Sequence, residues 1–288
     1  MKVLVLGAGG QLGQALRRTA PSGHQVIART RAELDIADAA AVRRETAREK
    51  PDWILNAAAY TAVDLAEDEP AKAAAINDGA VGTLAEAAAA NSSRLMHLST
   101  DFVFDGRSNR AYRPDDATQP LSAYGAGKRA GELKALAAGC EAIVLRTAWV
   151  YASAGRNFAL TMLKLMRERE QVRVVGDQIG TPTWARGLAC AVWDLVGGGA
   201  PGGIYHWTDL GLASWYDFAV AIQDEALERG LLPRAASIVP IATAEYPTRA
   251  RRPAFSVLDT SATRARVATP ALHWRHNLRM MLDELRAQ

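Results

Sequence analysis

Val3-Leu4-Val5-Leu6-Gly7-Ala8-Gly9-Gly10-Gln11-Leu12-Gly13 decides the fold. An apolar run stops at glycine, and a helix-forming stretch from Gln11 to Thr19 follows the turn. A strand, a tight turn and a helix N-terminus together make an anion site. The first-turn N–H groups lack helical partners, and the helix dipole adds partial positive charge. Glycines permit both the turn and the close approach of a pyrophosphate. The spacing departs from G-x-G-x-x-G, because Leu12 stands where the third glycine belongs. The frame that fits is G-x-x-G-x-x-G on Gly7, Gly10 and Gly13. A glycine turn alone is an ordinary loop. Behind the first strand it predicts dinucleotide binding.

Outward from that turn, apolar runs alternate with Ala-rich helical stretches. Strands are expected at Gln25-Ala28, Trp53-Leu55, Leu95-Leu98 and Ala142-Leu145. Helices are expected at Ala39-Arg48, Ser122-Ala138 and, as one long element behind Pro70, Ala71-Ala90. Such alternation implies βαβ units: an α/β fold with a doubly wound, Rossmann-like parallel sheet. After Trp149 the pattern loosens. Helices are expected at Asn157-Glu168, Trp184-Val196, Ser214-Leu227 and from Arg275, with a strand at Val172-Val175. The predicted layout is a cofactor domain over residues 1–148. Residues 149–288 form a smaller α/β substrate domain that shares some segments with the first.

The chain has 288 residues, is 49% hydrophobic and 23% charged, and carries a formal net charge of +3, which excludes a disordered chain. Cys140 and Cys190 are too few for a disulfide scaffold and read as small packing residues. The basic surplus forms no run, so nucleic acid is not an expected partner. No stretch approaches the roughly 20 apolar residues of a membrane helix, and the N-terminal apolar run is too short for a signal peptide. Neither a membrane partner nor a leader is expected, and the compartment predicted is the cytoplasm. His24, His97, His206, His273 and His276 show no metal spacing, and His97 reads as a core histidine. Trp53, Trp193 and Trp215 read as packing residues.

The second strand ends in Ala28-Arg29-Thr30-Arg31, with arginine where NAD-preferring proteins place Asp or Glu. Arginine pairs with a 2′-phosphate, so this ending predicts NADPH, with NADH as the lesser cofactor; Arg29 is the first candidate, and one of Arg29 and Arg31 can be a solvated surface charge. Asn56-Ala57-Ala58-Ala59 ends the third strand with small side chains, against which a flat cofactor can lie. Ser99-Thr100-Asp101 ends the fourth, where a hydroxyl can bond a carbonyl oxygen. Tyr124 and Lys128 form Y-x-x-x-K, which puts both on one helix face. An ammonium beside the phenol is expected to lower its pKa and make it a proton relay. Arg249, Arg251 and Arg252 can meet a diphosphate or form a solvated loop.

With these segments in view, the chain resembles the extended short-chain dehydrogenase/reductase family over nearly its whole length. The matching segments are Gly7 to Gly13, Asn56 to Asp64, Ser99 to Phe104, Tyr124 to Lys128, Arg146 to Tyr151 and Tyr246 to Pro253. The resemblance implies NAD(P)H-dependent reduction of the 4-keto group of a dTDP-linked 6-deoxy sugar, giving dTDP-L-rhamnose. It assigns proton donation to Tyr124, cofactor ribose contact and Tyr124 tuning to Lys128, and the keto-oxygen hydrogen bond to Thr100. Asp101 and Trp149 would contact the sugar nucleotide. Gly10, Gln11 and Leu12 would lie on the pyrophosphate, with Arg29, Asp35, Ile36, Ala59, Tyr60 and Thr61 completing the cleft.

Two positions depart from the pattern. Phe102 stands where the family often has Tyr. Some members dimerise through a magnesium site built from glutamates, and the matching positions here are Ala15 and Arg186. Neither is a magnesium ligand, so no metal is expected, and the chain is expected to be a monomer or weak homodimer. Two rivals remain. A sugar-nucleotide epimerase that retains its NAD would favour an acid at the end of the second strand. A non-catalytic NADP-sensing subunit would often lack the Tyr or the Lys.

Overall fold

The apolar runs of the first half have almost no polar face, so they must be covered on both sides. The computed structural model, which describes residues 1–288, covers them so. β1 (Lys2–Leu6), β2 (Gln25–Arg29), β3 (Trp53–Asn56), β4 (Arg94–Thr100) and β5 (Ala142–Thr147) form one parallel sheet in the order β2-β1-β3-β4-β5. Val3, Val5, Leu55 and Leu145 face one helical layer, while Leu4, Leu6, Ile54 and Val144 face the other. Fully burying one such side chain contributes about 1.5–3 kcal/mol.

The first layer holds α1 (Gln11–Arg18) and the helix Ala185–Gly197. The Trp193 indole donates to Leu16 O at 3.1 Å and ties the two together. The second layer holds α2 (Ala39–Glu49), Ala80–Ala90 and Ala123–Ala137. Residues 185–206 thus return to the first sheet. Gly203–His206 pairs in parallel with β5 as a sixth strand, with Ile204 opposite Val144. Its short sequence carries no strand signal without that partner.

The long helix expected over Ala71-Ala90 is present, and it contains a π turn that the sequence did not show. The structure has Pro70–Ala74, a wide π turn over Ala75–Gly79, and then Ala80–Ala90. The turn lets the Asn77 amide bond the Tyr60 backbone twice, at 2.9 and 3.0 Å. It also brings Asn77 against Gly127 and Gly131 of the Tyr124 helix. Such turns interrupt helices where side chains must be re-aimed.

A second apolar core joins the helices Phe158–Glu168, Trp215–Glu228 and Trp274–Arg286 to the parallel pair Gln171–Val175 and Ser237–Ile241. Ser214 and Asp217 close a capping box on the second of these helices. No helix is long and apolar enough to cross a membrane.

Candidate active site

From β1 the chain runs outward to β2 and returns on the other side at β3. The carboxyl ends of β1 and β3 therefore open a crevice, the usual ligand position in such sheets. Gly7 sits at φ +75°, and a Cβ there would lie 2.6 Å from Ala58 N. A Cβ on Gly13 would overlap the Gly7 carbonyl. Gly10 caps α1 without a side-chain bond, which leaves the first-turn N–H groups free for a ligand.

A cleft of about 530 Å³ opens at this point. Gly7, Gly10, Gln11, Leu12, Asp35, Ile36, Ala58, Ala59, Thr61, Tyr124 and Lys128 line it. Three expected cofactor residues do not. Gly13 packs behind the turn. The Tyr60 hydroxyl donates to Glu69 at 2.9 Å. Arg29 is the third and the main correction: its Nε donates to Glu45 of α2 at 2.7 Å, so the guanidinium is held against the helical layer. Arg31, solvent-exposed and loosely paired with Asp35, lines the cleft instead.

Sequence reasoning missed Thr147, Val150, Gly155, Arg156 and Leu188, which also line the cleft. Thr147 ends β5, and the strand-end rule that selected Thr100 would have found it. Gly155 and Arg156 carry no such signal. Asn157 donates to the Gln11 side chain at 3.0 Å and draws that segment over the glycine turn.

Ser122 caps the helix Ala123–Ala137 through Gly125 N–H, which fixes Tyr124 in its first turn. The Tyr124 ring meets Phe102 edge-on at 5.6 Å. Burial pushes its phenol up to about 12, with Thr100 opposing and Asp101 adding to the rise. The expected lowering by Lys128 is thus corrected: burial dominates, and the phenol holds its proton. That is the state a proton donor needs. Lys128 is buried beneath the cleft, where its Nζ donates to Leu98 O at 2.6 Å. Burial brings it down to about 8, with Glu132 opposing.

Thr100 and Asp101 lie buried beside Tyr124, and the Thr100 hydroxyl donates to Asp101 Oδ1 at 3.0 Å. Burial raises the Asp101 carboxyl to about 6. Asp101 Oδ2 and Thr147 Oγ1 are buried without hydrogen-bond partners. Beneath them, Glu132 takes Arg146 through both oxygens at 2.8 Å and Ser99 at 2.6 Å, locking the Tyr124 helix to β4 and β5. Removing one partner of such a pair costs about 3–5 kcal/mol.

Trp149 adopts φ +47°, uncommon for a residue with a side chain, and stacks on Trp215 at 3.4 Å. A Cβ on Gly180 would lie 2.5 Å from the Trp149 ring, so only glycine admits it there. Trp215 lines a second pocket of about 530 Å³ with Phe158, Arg169, Arg173, Tyr246 and Arg252. Trp215 packs against the second apolar core as expected and also forms a pocket wall, while Trp53 and Trp193 lie in the first core. Arg252 reaches Asp64 bidentately, at 2.7 and 3.1 Å, while Arg249 pairs with Asp68 and Arg251 is exposed. The Arg-rich loop is thus clamped to the segment after β3. Ala15 is buried in α1, and Arg186 is exposed, its guanidinium over the Trp184 ring.

These residues fit a dinucleotide. The glycine turn and α1 offer N–H groups to a pyrophosphate, Arg31 offers a cation, and the orphaned Thr147 hydroxyl offers a polar contact. A crevice of this kind, with a Tyr and a Lys on one helix, defines a nicotinamide-dependent reductase of the short-chain type. The family model described as RmlD substrate binding domain matches residues 1–287, and the chain belongs to that family. It is 42% identical to a dTDP-4-dehydrorhamnose reductase from Burkholderia thailandensis, covering 100% of both chains. It also resembles the solved structure of a dTDP-4-dehydrorhamnose reductase from Clostridium acetobutylicum, with TM-score 0.93, 35% identity and 99% of each chain covered. A dTDP-4-dehydrorhamnose reductase from Bacillus anthracis, solved in complex with NADP, gives TM-score 0.93 at 31% identity, covering 98% of this chain and 99% of that one.

Proposed function

We propose that the protein reduces the 4-keto group of dTDP-4-dehydro-L-rhamnose with NADPH, giving dTDP-L-rhamnose, a precursor of cell-surface polysaccharide. The observation that carries this is Tyr124 and Lys128, on one helix, in the wall of a cleft whose glycine turn fits a dinucleotide. The NADP complex of the Bacillus anthracis relative supports the cofactor. Bound NADPH supplies the hydride. Tyr124 donates its proton to the oxygen that becomes the C4 hydroxyl, and Thr100 hydrogen-bonds that oxygen as charge develops. Lys128 holds the cofactor ribose. Asp101 Oδ2 accepts a sugar hydroxyl.

Trp149 and the second pocket take the rest of the sugar nucleotide, with Arg252 facing the diphosphate. Residues 1–148 act as the cofactor domain and residues 149–288 mainly as the substrate domain. An alanine and a guanidinium at positions 15 and 186 support turnover without a divalent cation, by a monomer or weak homodimer in the cytoplasm. The test is NADPH oxidation, in EDTA, with dTDP-, UDP- and GDP-linked 4-keto-6-deoxy sugars. The dTDP sugar should have the highest kcat/KM. Equal rates for all three bases, or activity that returns only with magnesium, would contradict this assignment.

A further inference from the structure

Behind the cleft, three buried polar side chains form a line whose hydrogen-bond directions are forced. Asn56 ends β3, His97 lies in mid-β4, and Lys128 stands on the Tyr124 helix; all three are buried. The backbone N–H of Ala58 donates to Asn56 Oδ1 at 3.1 Å. A backbone N–H can only donate, so the Asn56 amide is oriented, and its Nδ2 is the atom facing His97 Nδ1 at 3.1 Å. Nδ1 must then accept. A neutral imidazole that accepts at Nδ1 carries its proton on Nε2. Nε2 faces Lys128 Nζ at 3.2 Å. An N–H is thus aimed at a nitrogen that, as an ammonium, can only donate. The contact is satisfied when Lys128 is the neutral amine: Nζ then donates to Leu98 O and accepts from His97.

We propose that His97, oriented by Asn56, is a positioning residue that holds Lys128 in place and favours its neutral form. This inference rests on the reductase assignment, because Lys128 matters through the site it serves. The other charged and titratable groups around its helix are already engaged. Glu132 is paired with Arg146 and Arg129, Asp78 with Lys134, and Glu67 accepts from Ala123 N–H at the helix start. Lys72 is paired with Glu69, and Asp101 acts on Tyr124. His97 alone presents an N–H to the Lys128 nitrogen. Burial lowers both His97 and Lys128, so the histidine stays neutral and the lysine titrates nearer to neutral pH than a surface lysine. A neutral amine poised there takes up a proton from solvent, and the ammonium so formed passes it to a tyrosinate left at Tyr124. In that transfer one N–H bond breaks, one O–H bond forms, and no redox partner is needed.

The first test needs no variant. Nitrogen-15 spectra of the full chain, labelled at histidine, read the tautomer of His97 directly. Nε2–H is expected, and Nδ1–H would overturn the proposal. The second test uses carbon-13 lysine, since the chain has only Lys2, Lys50, Lys72, Lys128, Lys134 and Lys164. Lys128, assigned by its loss in Lys128→Arg, should titrate near 8, apart from the other five. Asn56→Asp should turn the histidine over, because a carboxylate accepts from Nδ1–H and leaves Nε2 to accept from the ammonium. The Lys128 midpoint should then rise by about one unit or more. In a His97→Phe background the same change should move it much less. An equal shift in both backgrounds, no shift in the first, or a wild-type Lys128 that titrates with the surface lysines would overturn the proposal. None of these readouts uses a sugar, so the assignment of substrate stands or falls separately.

Discussion

Two pockets of equal volume, about 530 Å³ each, are built by opposite means. The cleft at β1 and β3 is made from backbone and small side chains: Gly7, Gly10, Ala57, Ala58 and Ala59. Its shape depends on what is missing, since a Cβ on Gly7 would meet Ala58. The second pocket is made from large side chains, with Phe158 and Trp215 as apolar walls, together with Arg169 and with Arg173 and Arg252, which are paired to Glu245 and Asp64. A ligand held by backbone groups is recognised by its pyrophosphate, which many cofactors share. A ligand held by converging side chains is recognised by its own shape and charge. The first cleft therefore suits a common cofactor, and the second suits a particular substrate. Trp149 connects them: Thr147, two residues before it, lines the first cleft, and Trp149 stacks on the wall of the second.

Trp215→Ala is the sharpest way to break that division of labour. It removes the stack on Trp149 and one wall of the second pocket. KM for the dTDP sugar should rise about tenfold, the size of one lost aromatic contact. The Kd of NADPH, measured by fluorescence titration, should stay unchanged. An equal loss in NADPH affinity would show that the two pockets act as one.

A smaller effect is expected at the rim of the first cleft. Arg31→Ser should lower the preference for NADPH over NADH by about fivefold in kcat/KM, as one charge-assisted contact is lost. Arg29→Ser should leave that ratio unchanged, because Arg29 is held by Glu45. The opposite ranking would return the 2′-phosphate to Arg29.

The same contrast explains what was legible in the sequence. Glycines between an apolar run and a helix show the cofactor turn directly, because each is needed for a local reason. Strand ends likewise exposed Thr100 and Asn56, since position along a strand predicts position in the crevice. Arg29 and Arg31 were not separable: two residues apart on an emerging strand, they differ only in whether Glu45 of α2 is within reach. The second pocket was illegible for a stronger reason. Phe158, Arg173, Trp215 and Tyr246 come from separate elements, and no local pattern marks their convergence. Trp215 read as a packing residue because its helix pattern is amphipathic, and only the fold places it at the pocket wall. The sixth strand and the π turn at Asn77 were missed because both depend on a partner, β5 for one and Tyr60 for the other.

Stoichiometry separates net reduction from hydride recycling. The protein, NADPH and dTDP-4-dehydro-L-rhamnose are mixed, and NADPH consumed is compared with dTDP-L-rhamnose formed, for wild type and for Tyr124→Phe. One product molecule per NADPH consumed is expected. Losing the proton donor should cut kcat by on the order of 10²–10⁴-fold while leaving the Kd of NADPH unchanged. A changed sugar with no net NADPH consumed would mean a cofactor that recycles its hydride, as in an epimerase. Wild-type turnover in Tyr124→Phe would remove the phenol from the chemistry, and either result would rule out net reduction with Tyr124 as the proton donor.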